Sequence, residues 1–252
     1  MSEALVFILG AAFLGAILGS FINALSFRFN TGRSMRGRSR CMHCGHGLGI
    51  ADLVPVLSFV FLRGQCRFCG TRLSLQYPLV EVAAALLAVL VYLNHPSVLA
   101  FSFWLLVWMT LLFIVVYDLR HKIIPWSCSL LLAGLALVFL VWNLELGFWS
   151  LAAGPVLAAP LLFISFVSRG AWMGWGDGVL MLSLGWFLGL AAGFTALVLA
   201  VWSGAAVGIV LTLLTKGLTM KSEIPFAPFL VLGALIAFFF NVDFFQNVSL
   251  LW

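Results

Sequence analysis

Charge is what this sequence has least of. Only 8% of its 252 residues are Asp, Glu, Lys or Arg, 64% are hydrophobic, and the mean hydropathy is +1.18. That scarcity excludes a soluble globular domain, in which about a quarter of all residues are charged. The start, "MSEALVF", has an acid where a secretory signal would carry a basic n-region, and no small-residue cleavage site follows. The first apolar segment is therefore expected to stay in the mature chain.

What remains is a set of long apolar runs. Residues 4–27, 78–94, 96–117, 123–144, 146–168 and 224–242 are each long enough for one crossing, and 178–215 is long enough for two. The long run must turn back near "GLAAGF", residues 189–194, because a single helix of that length overshoots a hydrocarbon core about 30 Å thick. The expectation is an all-α polytopic membrane protein of about eight transmembrane helices. With the N-terminus outside, the inside loops are 28–77, 118–122, 169–177 and 216–223, and all 13 basic residues fall in them. The outside keeps only Glu3, Glu145 and Asp243. Lys216 and Lys221 support eight spans over seven, since cytoplasmic loops carry the excess of Lys and Arg. The net charge of +5 thus describes one membrane face and its anionic lipids, with no nucleic-acid partner implied.

The one polar region of any size, residues 28–77, holds four of the five cysteines as "CMHC" (41–44) and "CRFC" (66–69), 21 residues apart. Each Cys-x-x-Cys forms a knuckle whose thiolates converge, and two knuckles complete a tetrahedral four-sulfur zinc site. A cytoplasmic location disfavours disulfides and further favours metal. Such a site leaves no open coordination position, so a structural zinc on Cys41, Cys44, Cys66 and Cys69 is expected, in a small cytoplasmic zinc-knuckle loop domain. His43 and His46 read as solvated loop histidines, Cys128 as helix packing.

Acids near a bilayer are costly and mark function. Asp118 ends a span in "VVYDLRHKIIP", and Asp177 opens one in "GWGDG". They are 59 residues apart yet at one membrane depth. Two close carboxylates share a proton and supply a general base and a general acid together, as aspartic proteolysis requires. Gly174, Gly176 and Gly178 would clear space around Asp177 for a substrate backbone and for water. Rival readings pair Asp118 with Arg120 or Lys122 and make Asp177 a helix cap.

The ordered set "GSFINALSFR" (19–28), the paired cysteines, "LVPVLSF" (53–59), "RGQCRFCG" (63–70), "YPLVE" (77–81), "YDLRHKIIP" (117–125), "GWGD" (174–177) and "IPFAPFLVLGAL" (224–235) resembles the type IV prepilin peptidases, bacterial inner-membrane aspartic proteases. The resemblance implies cleavage of the short basic leader of a prepilin or pseudopilin at the cytoplasmic face, with Asp118 and Asp177 catalytic. It also implies N-methylation of the new terminus with S-adenosylmethionine, for which Glu81 is a candidate; no soluble-type glycine-rich loop for that cofactor is present. Pro225, in "PFAPF", is a helix-start signal and a candidate site-lining residue. Val179 stands where the family usually has lysine.

This yields a first transmembrane helix (1–27), a cytoplasmic four-cysteine loop domain (28–77) and a seven-helix transmembrane peptidase domain (78–252) in the inner membrane. Other Gly-x-Gly-Asp intramembrane proteases are the nearest alternative, but they carry a Pro-Ala-Leu motif missing here. A proton-coupled transporter would need acids at the bilayer midplane and polar residues through several spans.

Overall fold

A backbone crossing hydrocarbon must satisfy its own N–H and C=O groups, and a helix does so segment by segment. The computed structural model describes residues 3–32, 37, 39–143, 147–214 and 224–242. Arg33, Arg36, Arg38, Glu145, Lys216, Lys221 and Asp243, used above in the charge argument, lie outside the described residues. Among those described, the regular structure is helical: α1 (Glu3–Ser26), a 3-10 turn (Ile50–Leu53), α2 (Leu57–Phe61), α3 (Gln76–Asn94), α4 (Val98–His121), α5 (Trp126–Trp142), α6 (Phe148–Val167), α7 (Trp175–Leu214) and α8 (Ala227–Phe239). By length and composition α1, α3, α4, α6 and α7 are able to cross a membrane, while α5 and α8 are shorter apolar helices. The protein is a helical, multi-pass membrane protein.

The chain forms two compact units, Met1–Val116 and Tyr117–Trp252. In the first, α1 lies antiparallel against α3, with Gly15 facing Ala84 and Ala88 while Gly19 faces Val80 and Glu81. A Cβ on Gly15 would collide with the Ala84 carbonyl oxygen, so the two backbones touch. Small residues four apart bring membrane helices this close, since packing rather than hydrophobicity joins them in lipid.

In the second unit α7 is central, packing on α5, α6 and α8. Its 40 residues are not one rod: Gly189 has φ 75° and ψ −179°, a conformation only glycine adopts readily. A Cβ on Gly193 would lie 3.6 Å from the Gly185 Cα, whereas eight residues of straight helix span about 12 Å. The helix therefore folds back at Gly189, where the reversal was expected. α6 answers the same demand differently. Pro155 has no N–H for the Leu151 carbonyl one turn back, and the Trp186 indole N–H of α7 donates to that oxygen at 2.9 Å. An apolar cavity of about 500 Å³ between Val156, Pro160, Leu190 and Phe194 lies at this reversal, well away from Asp177 along the helix.

Gly189→Ala is expected to cost about 1–3 kcal/mol and lower the thermal midpoint of the detergent-purified protein. Nothing lies within 4 Å of a Cβ there, so the loss is backbone strain and not a clash.

Candidate active site and metal centre

The cysteine loop is built from two copies of one turn. In the first, Gly45 N–H donates to the Cys41 carbonyl and Cys41 N–H to that of His46, both at 2.9 Å. In the second, Gly70 N–H donates to Cys66 and Cys66 N–H to Thr71, again at 2.9 Å. Gly45 and Gly70 turn the chain at φ 70° and 67°, and the bridges Arg40–Gly47 and Gln65–Arg72 close the knuckles. Their four Sγ atoms lie within 4.8 Å of one another, Cys41 and Cys66 buried, Cys44 and Cys69 exposed. Tetrahedral four-thiolate zinc needs sulfurs about 3.8 Å apart, and Cys41 and Cys69 already stand at 3.9 Å.

Local hydrogen bonds favour the ligating form at two of the four thiols, while Cys44, desolvated and beside Cys41 and Cys69, is pushed up to about 11. The Thr71 hydroxyl, then its backbone N–H, draw the Cys69 thiol down to about 6, and the backbone N–H groups of Cys44 and His43 lower that of Cys41. Thiolates are the metal-binding form. All five cysteines are free, and His46 stacks on Phe68 with ring centroids 3.5 Å apart. The donor set thus fits a thiophilic metal.

The two aspartates come together within the second unit. Asp118 occupies the last turn of α4, Asp177 the first turn of α7, and they are 4% and 8% exposed. They are near enough for the charge of Asp118 to act on Asp177. Asp118 Oδ2 accepts the Ala227 N–H at 3.3 Å, an orphan donor of the first turn of α8, where the helix dipole is positive. Pro225 and Phe226 lead the chain into that turn, which starts α8 in front of the carboxylate. Asp177 accepts from the Gly174 backbone, so the third residue of α7 reaches back to the residue preceding the helix, as in half of a capping box. Capping and proximity to Asp118 coexist.

The glycines around Asp177 have different neighbours. Gly174 faces its carboxylate: a Cβ there would lie 3.4 Å from Oδ2. The space beside Gly176 is filled by Ile124, and that beside Gly178 by Leu162 of α6. These two glycines let neighbouring residues pack against the start of α7. Two contacts were not evident in the sequence. Ser165 of α6, fully buried, donates to the carbonyls of Met173 and Gly174 at 2.9 and 3.1 Å and holds the loop that delivers Asp177; a serine in an apolar span was its only signal. Ala227 had none, because its contribution is a backbone N–H.

Glu81 lies in the first unit, 7% exposed. Its Oε2 accepts the Val56 N–H at 2.7 Å, and the Ser20 hydroxyl also reaches it. One turn further along α1, Asn23 donates to the Tyr77 carbonyl at 3.1 Å and meets Gln76 at 3.4 Å. This buried polar cluster clamps α1, α3 and the loop between them.

With this geometry described, comparison with known proteins is decisive. The "Bacterial Peptidase A24 N-terminal domain" model matches residues 13–95 and the "Type IV leader peptidase family" model residues 103–209. A prepilin leader peptidase/N-methyltransferase of Burkholderia pseudomallei is 35% identical over 214 residues, 82% of this chain and 69% of the relative. The chain belongs to the type IV leader peptidase family. Relatives of the same name in Bacillus subtilis (32% identical, 94% of this chain and 96% of the relative) and Pseudomonas putida (30%, 99% and 96%) match nearly end to end. No solved structure matches the chain.

Serine at both Cys41 and Cys66 is expected to reduce bound metal from about one equivalent per chain to near zero, because the loop has little core without it. Elemental analysis of the purified protein reads this directly.

Proposed function

We propose that this protein is a membrane aspartic endopeptidase that removes the leader from prepilins or pseudopilins, with Asp118 and Asp177 as its catalytic pair. One observation carries the reading: two carboxylates from distant parts of the chain are buried at helix ends, near enough for the charge of Asp118 to act on Asp177, and each accepts a backbone N–H. Such a pair shares one proton. The ionised carboxylate takes a proton from water, whose oxygen attacks the scissile carbonyl carbon, and the protonated partner donates to the carbonyl oxygen. Collapse of the tetrahedral intermediate breaks the C–N bond, and the amine leaves with a proton returned by the pair. The basic residues of the loops at the Asp118 and Asp177 helix ends orient that face to the cytoplasm, in a bacterial inner membrane.

Zinc is the ion we assign to Cys41, Cys44, Cys66 and Cys69, in a structural role. N-methylation is the second activity that the names of the relatives carry, and S-adenosylmethionine would supply the methyl group to the amine that cleavage frees. Glu81 is sealed between α1 and α3 with both described partners from its own chain. We give it a clamping role and route no methyl transfer through it.

Asp118→Asn and Asp177→Asn, which keep size and remove the shared proton, are each expected to abolish leader cleavage of a co-reconstituted prepilin while metal content and folding persist. Cleavage by both variants would sink the proposal. Ala227→Pro removes the N–H to Asp118 at the first position of α8, where the helix itself needs no N–H; since Phe226 before it is in the αR region and Ala227 is fully buried, an unchanged thermal midpoint and metal content select the folded variant. Loss of one hydrogen bond to a charged group, about 1.5–3 kcal/mol, predicts a fall in kcat of roughly tenfold to a hundredfold with KM little changed.

A further inference from the structure

The loop after α1 exposes more apolar surface than holding four cysteines requires. α2 presents Leu57, Val60 and Phe61 at i, i+3 and i+4, one helical face, and they are 55%, 63% and 81% exposed. On its other side Phe59 lies over Gly64. Ile50, in the preceding 3-10 turn, is exposed as well. A contiguous apolar patch of this kind marks a contact with another molecule or with a membrane.

Depth identifies what covers it. Val56, immediately before α2, is tied by its N–H to Glu81, five residues inside the start of α3 at Gln76, about 7.5 Å along the helix. Glu81 is tied in turn to Ser20, six residues before the end of α1 at Ser26, about 9 Å. Both helices are long and apolar enough to cross a bilayer, so its boundary lies near their ends. The start of α2 is thus pinned below both ends, at the level of headgroups and upper acyl chains. Arg63, exposed, follows Phe61 by two residues, while Arg67 further on is already paired with Asp52 at 3.0 Å.

We propose that α2 is a membrane-interface anchor, its Leu57–Val60–Phe61 face sunk among lipid acyl chains and Arg63 at the level of the phosphates. Short amphipathic segments bind bilayers in this way, through apolar burial plus attraction of basic residues to anionic headgroups. An apolar helix of a protein substrate would match the same face. Arg63 favours lipid, since a headgroup is anionic whereas the leader expected for the substrate is basic. The anchor fixes α2, and through Val56 the loop, against the membrane surface, and it stands independently of the catalytic assignment.

The test uses the full chain in nanodiscs of phosphatidylethanolamine and phosphatidylglycerol. The photoreactive residue p-benzoylphenylalanine is placed in turn at Leu57, Val60 and Phe61, and at His43 in the first knuckle as a control. Retention of bound metal selects the folded samples, and three positions cover the loss of any one. After irradiation, with and without a pilin helix peptide, adducts are identified by mass spectrometry. The anchor predicts phospholipid adducts at the α2 positions several-fold above those at His43 and unchanged by the peptide. Lipid labelling no higher than at His43 would overturn it, as would peptide adducts that replace the lipid ones.

Discussion

A polar group carried into hydrocarbon finds no water, so its partner has to come from the same chain. Much of the structure follows from that requirement. The carbonyl released by Pro155 is taken up by the Trp186 indole, and in doing so it fixes α6 against α7. Buried Ser165 satisfies its hydroxyl on the two carbonyls that precede α7, which sets the entry of Asp177. Asp118 meets the free N–H at the start of α8, and Glu81 meets Val56 and Ser20. Each contact answers a local need and at the same time ties one segment of the chain to another.

Close backbone approach is the second means of joining. Gly15 and Gly19 bring α1 onto α3; Gly176 and Gly178 admit Ile124 and Leu162; Gly185 lies against Gly154, where a Cβ would come within 2.8 Å of the Gly154 Cα. In lipid, where apolar surface is already satisfied, contact area between helices has to come from shape. The pair of cysteine knuckles uses neither device. It repeats one hydrogen-bonded turn twice and directs four sulfurs to a common centre.

What could be read in advance was what has a period, a length or a fixed spacing. Apolar runs gave the helices, the length of the seventh required a reversal close to Gly189, and two Cys-x-x-Cys pairs gave the metal cluster. The carboxylate pair was legible because an acid in so apolar a chain has few reasons to be there. Glycines were ambiguous, since the same residue opens space for a ligand or for a packed neighbour; Gly176 lies against Ile124 between α4 and α5, Gly178 against Leu162 of α6, and Gly174 faces a carboxylate. The Ala227 contact was hidden because a backbone N–H leaves no mark on side-chain identity. α2 was hidden too: five residues are too few to show periodicity, and the bond that sets its depth reaches across 25 positions to Glu81.

The partner of Asp118 has a consequence for how the protein is made. A ribosome supplies Asp118 first, Asp177 next and Ala227 last of the three. Both aspartates therefore pass through insertion while the backbone donor for one of them does not yet exist. In a nascent chain Asp118 lacks that donor, and its polar contacts are complete only when α8 has been synthesised and inserted, so the burial of this carboxylate is timed by translation itself.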